Sequence, residues 1–317
     1  MAELSHRPLR ELIEGFVPAG RESGGGGADE YFTEMISAGA FVSGGPFEEW
    51  YADNGPRPEK LVYQIVGGDA AQLVRAAALL EKRECLGIDI NMGCAAPAIT
   101  RTGAGVRWMA DPDKAAALVR GVRAVTGRRL SVKLRTGYSD NFDSLVRFCR
   151  RLEEEGVELI ILHPRTAGEK FRRLARWDHV SALRKELRIP VAGNGDISSA
   201  EEMLRRSREC DAVMIGRLAV RRPWVFAELR GMRTSFNIEE TGCRFLELLS
   251  RYQPPEFHVS RARRFFGYFC DNLKWGNYLK NLLNREACLS GMEKTWKGYF
   301  AEHNEENPAL PDAALHF

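Results

Sequence analysis

The feature that most constrains the fold is a rhythm: over about the first 230 residues, short apolar runs alternate with longer amphipathic ones. The short runs Tyr31–Met35, Leu61–Val66, Gly87–Asn91, Leu130–Leu134, Leu159–His163, Pro190–Gly193 and Ala212–Ile215 read as buried strands. They are brief, rich in β-branched residues and bounded by turn formers. Between them lie helical patterns such as Ala70–Lys82, Asp113–Val125, Ser144–Glu155 and Ser199–Arg206, with Asp111-Pro112 as a start signal before the second. This alternation predicts an α/β architecture with a parallel sheet or barrel. A closed barrel of this kind needs eight strands, and seven are visible. The opening residues from Met1 to Arg10 read as the loop and helix that follow a strand. The expectation is therefore a (β/α)8 TIM barrel lacking its first strand.

From about Thr234 the rhythm stops, and Phe245–Arg251, Ser260–Leu273, Asn277–Glu286 and Met292–His303 read as helices. We expect a catalytic barrel over 1–230 and a helical domain over 231–317. Ala19–Ala28, with glycines at 24–27, is expected to be a flexible loop. Gly44–Pro58, carrying Trp50 and Tyr51, reads either as part of a lid or as a surface loop with an aromatic anchor.

The ends of the expected strands carry a polar set: Glu34, Gln64, Asn91, Lys133 with Arg135, His163 with Arg165, Asn194 with Asp196, and Gly216 with Arg217. Singly, each reads as a strand-end side chain meeting water; together they define a site on one barrel face. Gly193-Asn-Gly-Asp196 and Ile215-Gly-Arg217 follow the last two strands, where barrels seat phosphate on backbone N–H groups. Arg217 adds a charge-assisted contact. Lys133 ends an otherwise apolar strand, where a cation can hold an anionic ring or oxyanion. A phosphate grip with an inward lysine points to flavin mononucleotide (FMN).

Thr33-Glu-Met-Ile-Ser37, Tyr63-Gln-Ile-Val-Gly67, Asp89-Ile-Asn-Met-Gly-Cys94, Val132-Lys-Leu-Arg-Thr-Gly137, His163-Pro-Arg-Thr166, Gly193-Asn-Gly-Asp-Ile197 and Met214-Ile-Gly-Arg217 occur in that order. The chain from Met1 to about Phe226 thereby resembles the dihydrouridine synthase family. The resemblance implies an FMN-bearing barrel that reduces uridine in tRNA to 5,6-dihydrouridine with electrons from NADPH. It implies Cys94 as the proton donor to C5 of uracil, opposite a hydride delivered to C6; thiols are mostly protonated at neutral pH and suit this task. It further implies that Gln64 and Lys133 contact the isoalloxazine. His163, Asn194, Gly195, Gly216 and Arg217, with Asp196 in the same turn, would hold the ribityl phosphate. Met1 would be the remnant of the backbone under the flavin, and Asn91 and Arg135 would face the uracil. The target base must leave its stack to reach such a site.

Five positions depart from the family pattern: Ala95 stands where proline is usual, Ala98 where a basic residue is common, Ala167 for an arginine, and Arg221-Arg222 for Gly-Asn. They bear on the choice of RNA target more than on the reaction, whereas the missing strand bears on cofactor retention.

Charge supports RNA binding locally. The net charge of +3 is too small to imply nucleic acid by itself. Arg165, Lys170, Arg172, Arg173 and Arg176, against Glu169, form a basic stretch beside the expected site. From this stretch Arg165, Lys170 and Arg172 are expected to contact substrate. In the tail Arg261, Arg263, Arg264, Lys274 and Lys280 interleave with Phe265, Phe266, Tyr268, Trp275 and Tyr278. That pattern reads either as an RNA-binding face or as a solvated helix face over an aromatic core. The 7 cysteines are scattered without a Cys-x-x-Cys pair, so no zinc site and no disulfide framework are expected. No apolar run approaches membrane-spanning length. A cytoplasmic monomer acting on tRNA is expected, with ribosomal RNA left open as a target. Two other readings stay open: a flavin barrel oxidoreductase acting on a small molecule, and a non-catalytic RNA-binding relative with a defective flavin site.

Overall fold

The computed structural model describes residues 3–16, 26–169, 172–232 and 237–306. Met1, Lys170 and most of the glycine-rich loop lie outside the described residues. The chain forms two compact units, one of residues 32–216 and one combining 1–31 with 217–317. This partition differs from a linear division at residue 230, because the N-terminal helix belongs with the C-terminal ones.

The unit of residues 32–216 is built on parallel strands. They are β1 (Tyr31–Phe32), β2 (Ile36–Ser37), β3 (Leu61–Val66), β4 (Gly87–Met92), β5 (Arg129–Gly137), β6 (Leu159–Thr166), β7 (Val191–Asn194) and β8 (Ala212–Met214). The sheet order is β1-β3-β4-β5-β6-β7-β8, with β2 also pairing β3. From β3 on, each strand lies beside the next in the chain. The order never reverses as it does in doubly wound sheets, so the winding is that of a TIM-type barrel. No ladder joins β8 to β1 among the described residues, in keeping with the seven strands counted in the sequence.

Of the expected strand Tyr31–Met35 only Tyr31–Phe32 forms, and pairing resumes just past it at Ile36–Ser37. Thr33 causes the break: its hydroxyl accepts the Gln64 N–H at 3.0 Å and donates to the Glu34 carbonyl at 2.8 Å. A side chain thus takes a position that the backbone ladder would fill. Helices cover the outer face and start where the caps predict. Asp69, Asp111, Asn141 and Ser199 accept from the backbone N–H three residues on, and Pro112 takes the first turn of its helix. Leu159, Ile161 and Ala192, joined by Phe32 and Met214, form an apolar layer. The stretch after residue 44 is an anchored surface segment: Arg83 bonds both Glu49 carboxylate oxygens at 2.8 Å, and the Tyr63 hydroxyl donates to the Ala52 carbonyl at 3.2 Å.

The other unit is helical. Arg7–Glu14 packs on Ile238–Tyr252, with the Arg7 guanidinium 3.8 Å from the Tyr252 ring centre. Helices Pro255–Phe269, Gly276–Leu283 and Leu289–Glu302 complete it. Its core is aromatic: Phe245 stacks on Phe265 at 3.7 Å, Phe265 on Phe269 at 4.8 Å, and Phe266 meets Trp296 at 4.7 Å. The basic-aromatic tail therefore divides in two. Arg261, Phe265 and Phe266 are core residues, while Arg263, Arg264, Lys274, Trp275 and Tyr278 are exposed. No helix among the described residues is long and apolar enough to cross a membrane.

Candidate active site

Residues paired across parallel strands share a face, and so do alternate residues along one strand. Gln64 pairs with Asp89, Asp89 with Ser131, Asn91 with Lys133, and Arg135 with His163. Lys133 and His163 also share their face with Leu159 and Ile161, which belong to the apolar layer. The polar set thus sits on the face of that layer, toward the C-terminal ends of consecutive strands.

Cys94 lies just past β4, half-buried. Two features hold its turn. The Asn91 side-chain oxygen accepts from the backbone N–H groups of Gly93 (3.2 Å) and Cys94 (2.9 Å). The Cys94 carbonyl accepts from Val106 at 3.0 Å, a contact made across Gly105, whose φ is +64°. A Cβ on Gly105 would lie 2.3 Å from the Cys94 carbonyl oxygen, so no other residue fits there without displacing the cysteine.

Lys133 lies within electrostatic reach of Cys94, Asp89 and Arg135. Burial, opposed by the Asp89 charge, brings its amine down to about 8. No hydrogen bond or ion pair ties its ammonium to another group among the described residues. A buried cation whose ammonium makes no hydrogen bond among the described residues fits the anionic side of a flavin. Gln64 is buried, and its amide nitrogen donates to Asp89 at 2.7 Å.

At the end of β6, burial and then the charges of Lys133, Arg135 and Arg165 push His163 down to about 3, so it is neutral. The Arg165 guanidinium lies 3.0 Å from its Nε2. Arginine can only donate, so Nε2 accepts and the imidazole proton sits on Nδ1. Gly195, with φ +134°, lies against this ring: a Cβ there would stand 3.5 Å from His163 and 3.1 Å from Ala175. The neighbouring Asn194 amide donates to the Met214 carbonyl at 2.8 Å, tying the ends of β7 and β8. The glycine-containing turn and the neutral imidazole fit an anionic phosphate ester, with backbone N–H groups as donors. Gly216 lies beyond β8, half-buried. Arg217 is exposed at the start of helix Arg217–Arg221.

Several of the expected site residues bond to other parts of the protein. Arg165 is buried and forms a two-toothed ion pair with Asp196 at 2.8 and 2.6 Å, while its Nε donates to the Arg173 carbonyl. Asp196 also accepts from the Ala175 N–H at 2.8 Å. The two side chains are therefore bonded to each other, and they clamp the loop beside His163. Arg135 is likewise a brace, donating to the Gly93 carbonyl at 3.0 Å and the Thr166 carbonyl at 3.2 Å. Asn91 has its side chain occupied by Gln64 and the Cys94 turn. Arg176 pairs with Glu169, which this partner holds well below the usual carboxylate range. Of the basic stretch, Arg172 and Arg173 remain exposed.

Two side chains were missed by sequence reasoning. Asp89 and Ser131 lie fully buried below Asn91 and Lys133. The signal was present: each stands two residues before a polar strand-end residue, hence on the same face. Removing the Asp196 carboxylate should leave a buried guanidinium without its counter-charge. Asp196→Ala is expected to cost about 2 kcal/mol, below the range for fully buried pairs because the acid side chain is 25% exposed; thermal unfolding would register it.

The family model described as dihydrouridine synthase matches residues 1–305. A probable tRNA-dihydrouridine synthase of Aquifex aeolicus is 33% identical over 240 residues, covering 74% of this chain and 72% of the relative. The tRNA-dihydrouridine synthase B of Pseudomonas aeruginosa is 26% identical over 321 residues, covering 98% and 94%. A tRNA-dihydrouridine(16) synthase of Ralstonia nicotianae is 35% identical over 176 residues, covering 54% and 53%.

Proposed function

Since the chain belongs to the dihydrouridine synthase family, we propose that it reduces uridine in tRNA to 5,6-dihydrouridine, with FMN bound in the barrel and NADPH as the reductant. The observation that carries the reading is the Lys133 ammonium, without a hydrogen bond among the described residues, on the same rim as the Asn91-held turn of Cys94. FMN, when bound, supplies the hydride that uracil C6 receives, chemistry outside the reach of amino-acid side chains.

The protein's own residues do the rest. Lys133 holds negative charge on the reduced ring, with Gln64 beside it. The Gly195 turn, Asn194, Gly216 and Arg217 receive the phosphate, with neutral His163 lying against the turn. Cys94 gives its Sγ proton to C5 of uracil. Asn91 and Arg135 hold the cysteine turn and the β6 end in place, so their effect on uracil is through Cys94. Arg172, Arg173 and Lys170 offer phosphate contacts to the RNA, which makes binding salt-dependent.

The helical residues 231–317 are proposed to add RNA contacts through Trp275 and Tyr278, which are 49% and 57% exposed, with Lys274 at 5.1 Å from the Trp275 ring centre. Stacking platforms of this kind contribute about 1–3 kcal/mol per base. The double variant Trp275→Ala, Tyr278→Ala is expected to raise KM for tRNA by about tenfold or more while leaving kcat and NADPH oxidation unchanged. An unaltered KM would remove the tail from the RNA interface. The reading as a whole is tested by mass spectrometry of tRNA incubated with the flavin-loaded protein and NADPH. Unchanged uridine at every position would sink it.

A further inference from the structure

We propose that Asp89 is the positioning residue of this site: one buried carboxylate that sets the direction of a hydrogen-bond chain ending at the Cys94 backbone and supplies the counter-charge for Lys133. The proposal rests on the flavin-dependent reading above and deepens it.

The chain of bonds runs in a single direction. Asp89 lies at the middle of β4, with no exposed surface, and receives two donors. The Ser131 hydroxyl donates to Oδ1 and the Gln64 amide nitrogen to Oδ2, both at 2.7 Å. An ionised carboxylate only accepts, so the Gln64 nitrogen must face it. That leaves the Gln64 oxygen to accept from the Asn91 amide nitrogen at 3.1 Å. The Asn91 oxygen is then free of that bond and takes the N–H groups of Gly93 and Cys94. Reversing either amide would set donor against donor inside the barrel, a costly arrangement in a low-dielectric site. The orientation of the Cys94 turn is therefore fixed from a point three hydrogen bonds away.

The charged groups around the carboxylate are Lys133 and Arg129; the titratable and charged groups facing Lys133 in turn are Asp89, Arg135 and Cys94. Burial raises Asp89 to about 6 against the opposing pull of Ser131, Gln64, Lys133 and Arg129. As pH falls through about 6, Asp89 takes up a proton and ceases to be a pure acceptor. As pH rises through about 8, Lys133 loses its charge. The site is complete between those limits.

Asp89→Asn isolates the charge. Its oxygen can still accept from Gln64, and its nitrogen can donate to the Ser131 hydroxyl, so both local bonds survive. The measurement is the titration of Lys133 in flavin-free protein, read by NMR of isotopically methylated lysine, together with the pH profile of kcat on tRNA. In Asp89→Asn the Lys133 midpoint should fall by about one pH unit or more, and the acid limb of kcat should vanish. Ser131→Ala removes one donor to the carboxylate, so the Asp89 midpoint should rise and the acid limb should move to higher pH. This second variant decides the matter if Asp89→Asn does not fold. An unshifted Lys133 midpoint in Asp89→Asn, or an acid limb unmoved in Ser131→Ala, overturns the proposal. The lysine titration needs neither flavin nor tRNA, so failure of the uridine-reduction reading would be seen separately, as a lack of dihydrouridine from the wild-type protein.

Discussion

Cys94→Ala is expected to lower dihydrouridine formation by about 10²–10⁴-fold, the range for loss of a positioned general acid, while bound flavin and its reduction by NADPH stay at wild-type levels. The reasoning is local. Both devices that shape the turn, the Asn91 side-chain oxygen and the Val106 N–H, engage backbone atoms of residue 94 and not its sulfur. Alanine keeps those bonds and deletes only the proton donor. Stopped-flow absorbance would follow flavin reduction, and product mass would follow uridine. Parallel loss of flavin would show that Cys94 holds the cofactor; retained product formation would show that the proton comes from elsewhere.

Lys133→Met should have the second large effect. Methionine fills much of the lysine stem's volume but carries no charge, so the barrel should fold and the cavity should keep its shape. Preorganised charge aimed at a developing anion commonly contributes about 10²–10³-fold, and uridine reduction should fall by that factor. Flavin affinity should fall too, by about tenfold, seen as a paler protein after gel filtration. The pH dependence has a definite sign. Burial lowers the amine to about 8, so the protonated form is lost as pH rises through that value. Flavin retention in the wild type should decline over the same interval, whereas Lys133→Met should be insensitive to it. A wild-type response identical to that of Lys133→Met would mean that the ammonium plays no part.

Much of this was legible in the sequence because the barrel repeats one simple rule. Apolar runs such as Leu159–Leu162 pack on both faces, so the polar residue that ends each run marks the rim. Gln64, Asn91, Lys133 and His163 followed from that rule, and the pairing of Asn91 with Lys133 is as the pattern requires. What was not legible is which partner a charged residue chooses. Arg165 and Asp196 are 31 positions apart and each, taken singly, looks like a ligand; only folding brings them to 2.6 Å. Arg135 and Asn91 likewise bond backbone carbonyls and N–H groups that sequence order does not pair with them. The tail, which the sequence leaves open between two readings, differs in kind. Phe265 and Phe266 share a helix with Arg263 and Arg264, and sequence order does not tell which side of a helix meets water. The broken strand at Thr33 depends on a hydroxyl replacing a backbone bond, which propensity does not foresee.

The one-way winding of the sheet has a consequence for how such a molecule gains competence. Neighbouring contributors to the rim are separated by whole strand-and-helix repeats, and the last of them is supplied only when β8 pairs β7. Any excised segment holds only part of the rim, so a half-assembled chain is expected to be inert. Competence should consequently arrive late and all at once during refolding, trailing the recovery of secondary structure.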